Sequence, residues 1–144
     1  VHKKFPDRDL AYHLCKRYST IFFPKWDKSK YLGGVHEYKR LKLAKEIDEE
    51  CALKSASWGM FQIMGFNHNL CGCKDVFEFV HKVSESHANQ LELMYYFMKN
   101  SGCLSNLKEK DWAGFARKYN GPGYAQNAYD QKLRNAYENF KDKL

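Results

Sequence analysis

No stretch of this 144-residue chain approaches the ~20 consecutive apolar residues that a membrane-spanning helix needs. Stable insertion into a bilayer is therefore not expected of these residues. Nor do the first residues resemble a secretory leader, since Val1-His2-Lys3-Lys4 runs into Phe5-Pro6-Asp7 with no apolar core. There is no internal repeat and no low-complexity linker, which points to one domain over residues 1–144. Metal-ligand spacing is also scarce. Of the five cysteines, Cys15, Cys51, Cys71, Cys73 and Cys103, only Cys71 and Cys73 form a close pair, and the histidines show no ligand spacing. Neither a metal nor another cofactor is expected. An odd number of scattered cysteines reads as reduced structural thiols made in a reducing cytosol. No Ser/His/Asp or Cys/His arrangement for nucleophilic catalysis stands out. Acidic residues are outnumbered, 17 against 24 basic ones, for a net charge of +7. Such a surplus suits a polyanionic partner, whether nucleic acid, anionic lipid or a cell wall, and equally suits a solvated basic surface. The basic residues are dispersed and no nucleic-acid-binding motif occurs, so nucleic acid is not the expected partner.

Aromatic residues are plentiful at 16%, enough for a core and for a groove that stacks sugars or bases. Periodicity predicts helices over 7–18, 36–50, 74–83, 86–100, 110–118 and 125–140. Ile21 to Trp26 reads as an aromatic loop in which Pro24 blocks a helix, and Gly33-Gly34 as a breaker pair. In 86–100 the apolar stripe runs through Leu91, Met94, Tyr95 and Met98. In 110–118, Trp112, Phe115 and Ala116 face inward. Ser55 to Gly65 mixes apolar and polar residues without a helical period, which predicts a short strand or hairpin. Asn120-Gly121-Pro122-Gly123 is a turn. The fold class is mainly α, with one small β region.

Two segments carry more. Ser57-Trp58-Gly59-Met60-Phe61-Gln62-Ile63-Met64-Gly65-Phe66-Asn67 resembles the S-W-G-x-F-Q-I-M-G-F-N run of the N-acetylmuramidase domains of phage endolysins. More loosely, it resembles the G-L-M-Q segment of goose-type lysozymes and soluble lytic transglycosylases. Asp111 to Ala125 is similar to that family's K-D-W-A-x-F-A-R-x-Y-N-G-P-x-Y-A. Glu37-Tyr38-Lys39-Arg40-Leu41 matches an E-Y-x-R-L element, and Gln90-Leu91 and Tyr129 to Leu133 extend the resemblance to about residues 33–138.

The resemblance implies a lysozyme-like fold, helices around a small β-hairpin, with a saccharide cleft between lobes. It implies cleavage of the β-1,4 bond between N-acetylmuramic acid and N-acetylglucosamine in peptidoglycan, by a monomer. It also implies cytoplasmic accumulation and release to the wall, with a secreted or periplasmic enzyme as the alternative. A glycan site needs aromatic faces and amides. The first segment offers Trp58, Gln62 and Asn67, and the second Tyr119, Asn120 and Tyr124. Gln62, read as a strand residue between Phe61 and Ile63, points away from both. Glycosidic cleavage also needs a carboxylic acid of raised pKa. The family's general acid lies in an E-S-G-like segment followed by F-E-x-H-x-F, and neither occurs in residues 1–34. Glu37 is the candidate that remains, against a plainer reading as a first-turn glutamate near a helix N-terminus. The alternatives are a lytic transglycosylase acting on the same bond and a non-catalytic peptidoglycan-binding fragment.

Overall fold

The computed structural model describes residues 8–23, 25 and 27–143. Lys3, Lys4, Asp7, Pro24 and Trp26, named above, lie outside them. The chain forms two compact units, Val1–Ser57 and Trp58–Leu144.

In the first unit, α1 (Arg8–Arg17) carries Asp9 in its first turn and Lys16 and Arg17 in its last, the order that suits the helix dipole. Then come α2 (Glu37–Lys45) and α3 (Glu49–Ser55). The single helix expected over 36–50 is thus two. The break falls at Asp48, whose backbone is extended and whose carboxylate accepts the Cys51 N–H at 2.8 Å. That cap starts a new helix with Glu49 and Glu50 in its first turn, and helical periodicity does not register it. Ala11, Ala52 and Leu53 are buried, whereas Tyr38 is exposed.

The second unit opens with a hairpin. Its strands, β1 (Ser57–Trp58, begun at the last residue of the first unit) and β2 (Ile63–Met64), make a two-stranded antiparallel sheet. Five helices follow: α4 (Val76–Glu85), α5 (His87–Asn100), α6 (Cys103–Lys108), α7 (Trp112–Asn120) and α8 (Tyr129–Phe140). Helices around a small hairpin were the expectation, and α6 is an addition to it. Side-chain caps set three starts: Asp75 for α4, Ser86 for α5 and Asp111 for α7. The last helix begins at Tyr129, not at Ala125. Pro122–Asn127 winds as a 3₁₀ turn, and Ala128 is left-handed at φ 50°.

The core of this unit gathers Ile63, Cys71, Cys73, Phe79, Val83, Leu93, Met94, Phe97, Cys103 and Phe115. Phe115 and Ala116 are buried as expected, and half-buried Trp112 lies against Tyr137 with ring centroids 5.3 Å apart. On α5 half of the expected stripe holds. Met94 is buried and Met98 packs against the core, but Leu91 and Tyr95 are exposed, and Leu93 and Phe97 are buried instead. The inward stripe is Gln90, Leu93, Met94 and Phe97, at i, i+3, i+4 and i+7. Its first member is polar, which hides the stripe from a hydrophobic pattern.

All five cysteines are free thiols, three of them buried. Burial, helped by the neighbouring Cys73, pushes the Cys71 thiol up to about 12. It stays protonated at ordinary pH and acts as a small apolar side chain.

Candidate glycan-binding site

The two motif segments meet at the hairpin turn, residues 59–62. Gly59 is left-handed at φ 67° and Gln62 at φ 53°. Gln62 is therefore a turn residue and not the strand residue expected above. Its side-chain amide donates to the Gly59 carbonyl oxygen at 2.8 Å, closing the turn on itself. The left-handed backbone sets where this exposed side chain points, not the alternation of a strand.

Two other elements grip the turn. From α5, the Gln90 side chain accepts the Met60 N–H at 2.9 Å and donates to the Val83 carbonyl at 2.8 Å. From α7, the Tyr119 hydroxyl donates to the Phe61 carbonyl oxygen. The Tyr119 ring stacks on Phe115 (centroids 5.5 Å, planes 11° apart) and meets Phe97 edge-on at 5.6 Å. Burial, with smaller contributions from Cys103 and Cys71, pushes its hydroxyl up to about 12. It therefore remains a donor throughout the physiological range. Tyr119 thus packs its ring against the core while its hydroxyl holds the turn.

Around this clamp, Trp58 is half-buried against the core, and Met60 and Phe66 are exposed. Asn67 is half-buried in the 3₁₀ turn Gly65–Asn67, and its carbonyl accepts the Cys71 N–H at 3.2 Å. Asn120 is exposed at the end of α7. Tyr124 sits half-buried in the 3₁₀ turn that follows, with the Arg117 guanidinium 5.9 Å from its ring centroid. Aromatic rings and amides are the side chains that suit stacking on sugar rings and pairing with N-acetyl groups. Sequence reasoning missed Gln90 as a member of this arrangement. The available signal was a glutamine at core-face spacing on a helix, within a dipeptide that already carried resemblance.

Glu37, in the first unit, is committed elsewhere. Its Oε1 accepts the N–H groups of Leu32 and Gly33 at 2.5 and 2.9 Å, and its Oε2 pairs with Arg40 at 2.6 Å. Arg40 in turn donates to the Thr20 carbonyl at 2.9 Å and lies 4.6 Å over the Tyr31 ring. Burial alone would raise the Glu37 pKa, but the Gly33 N–H, Arg40 and the Leu32 N–H together outweigh it and hold the carboxyl below its usual range. A general acid needs the opposite shift. The geometry makes Glu37 the tie between the Gly33-Gly34 turn and α2. Asp27 is likewise held low by Ser29, Glu78 by the Lys74 N–H, Asp111 by the Gly114 N–H and Glu138 by Lys141. Among the described residues no group of three or more His, Cys, Asp or Glu side chains could hold a metal ion.

The depressed Glu37 pKa has a definite consequence for stability. The contribution is fully present above the unfolded-state value and is lost as pH falls through the folded-state value. Glu37→Gln is expected to cost about 0.5–1 kcal/mol at pH 7, kept small because the side chain is 34% exposed. The gap to wild type should close below about pH 4. Denaturant melts at several pH values measure this; a gap that persists undiminished into acid refutes the assignment.

A model of the N-acetylmuramidase family matches residues 3–141. The crystal structure of a Burkholderia AP3 phage endolysin is similar at a TM-score of 0.81 and 39% sequence identity, covering 94% of this chain and 52% of that one. The chain thus spans about half the length of that endolysin, and the helices around a small hairpin match its lysozyme-like fold. No curated protein matches the chain.

Proposed function

The chain belongs to the N-acetylmuramidase family, and from that membership we propose that it acts on bacterial peptidoglycan, cleaving the β-1,4 bond between N-acetylmuramic acid and N-acetylglucosamine. The observation that carries the reading is the family match over residues 3–141, which includes both segments that meet at the hairpin turn. In this reading Trp58 and Tyr124 offer faces to sugar rings. Gln62, Asn67 and Asn120 offer amides to N-acetyl and hydroxyl groups. Tyr119 contributes by holding the turn. The likeness to a phage endolysin supports synthesis in the cytoplasm and delivery to the wall, where the net charge of +7 favours an anionic surface.

One observation favours a second reading, a segment that holds glycan strands without cutting them. Glu37, the carboxylate singled out for acid catalysis, is held low and occupied by three hydrogen-bonding partners. Mass spectrometry of fragments released from purified peptidoglycan by the 144-residue chain separates the cases. Reducing muramic-acid ends establish the hydrolase and make Glu37→Gln the next variant. Anhydro ends move the reaction to lytic transglycosylation, in which the muramoyl C6 hydroxyl attacks. No release, with the chain co-sedimenting with the wall, leaves the binding reading; no release and no binding ends both.

A further inference from the structure

We infer that Gln90 is a positioning residue for glycan binding, acting through the hairpin turn without touching the sugar. The inference rests on the glycan-binding reading above and adds to it a determinant outside the turn itself.

Three observations point the same way. First, Gln90 lies on the inward stripe of α5 with Leu93, Met94 and Phe97, a place where an unpartnered amide would be costly. Secondly, both ends of its amide are used. The oxygen accepts the Met60 N–H and the nitrogen donates to the Val83 carbonyl near the C-terminal end of α4. One side chain therefore ties the turn to two helices at once. Thirdly, the turn is shaped to receive it. A Cβ on Gly59 would lie 2.7 Å from the Gln90 Oε1 and 3.2 Å from the Val83 Cγ1, so the backbone approaches as closely as a glycine permits. With Tyr119 holding the next carbonyl, Met60 N–H and Phe61 C=O are each fixed by a different helix. Trp58 and Gln62 flank this pinned backbone. Their orientation toward a sugar is inherited from it.

The amide chemistry makes the role testable apart from general packing. A glutamate at this position keeps the acceptor for Met60 N–H. Only its protonated form can donate to the Val83 carbonyl; the ionised form sets a carboxylate against a carbonyl oxygen. The probe is a tetrasaccharide of alternating N-acetylglucosamine and N-acetylmuramic acid, titrated into the whole chain by calorimetry, with each variant compared with wild type at the same pH.

Gln90→Leu is expected to weaken binding by about tenfold or more at pH 7, as loss of both hydrogen bonds would do. Gln90→Glu should be weakened similarly at pH 7 and should recover to within about threefold of wild type near pH 4, where a carboxyl gains its proton. A folded Gln90→Leu that binds like wild type overturns the inference. So does a Gln90→Glu deficit that is unchanged between the two pH values, and this arm decides the matter if the leucine variant does not fold. Absence of binding by the wild-type chain overturns the glycan reading itself, together with the inference, before any variant is compared.

Discussion

Gly59→Ala is expected to lower the stability of the second unit by about 2–5 kcal/mol. Two independent costs add. Alanine resists the left-handed backbone at φ 67°, a penalty of about 1–2 kcal/mol. The new Cβ then overlaps the Gln90 Oε1 at 2.7 Å and crowds the Val83 Cγ1 at 3.2 Å, and overpacking of this kind costs about 1–3 kcal/mol. The amide oxygen cannot simply swing aside, because it carries the hydrogen bond from Met60. The comparison variant is Gly102→Ala. Gly102 is left-handed at φ 74°, and its would-be Cβ meets only the Lys118 Nζ at an ordinary 3.7 Å, so it should lose the backbone penalty alone. Chemical denaturation of the two variants measures the difference. Equal losses would show that the Gln90 contact imposes no constraint on the turn.

Phe79→Ala should be the most damaging single truncation, at about 3–5 kcal/mol. Phe79 is the largest fully buried side chain, at 0% exposure, and belongs to the cluster with Val83, Leu93, Phe97 and Phe115. The cost combines the lost transfer of a whole aromatic ring with a cavity that α4 and α5 cannot close without breaking their own packing. Two residues earlier on the same helix, Phe77 is 47% exposed, and its truncation should fall within about 1 kcal/mol. A loss at Phe79 no larger than that at Phe77 would contradict this arrangement of the core.

Much of the architecture was legible before any coordinates. Helical periods located α1, α4, α5 and α7 to within a few residues, and the side-chain caps Asp75, Ser86 and Asp111 set the starts of the last three. The hairpin was legible through the break in period between Ser55 and Gly65. The division at Asp48 and the delayed start of α8 were not. Each depends on one residue's backbone conformation, extended at Asp48 and left-handed at Ala128. Helical periodicity registers neither.

For the site, the sequence by itself determined which residue types stand in the two motif segments, and through them the family. It also determined the thiol count, the positive charge and the covalent order of the helices. What the tertiary structure alone decided is which partner each of their polar side chains meets. Tyr119 reads as a sugar-facing aromatic until its ring is found between Phe97 and Phe115 with its hydroxyl on Phe61. Gln90 falls outside the expected apolar stripe until its amide is found bridging Met60 and Val83. Glu37 reads as a candidate acid or a first-turn glutamate until Leu32, Gly33 and Arg40 are found around it. The reason is common to all three. What a polar group does is set by the partner that satisfies it. Gln90 and Tyr119 meet theirs 30 and 58 residues away, a separation no local pattern encodes; Glu37 meets its own through the turn that its nearby glycines permit.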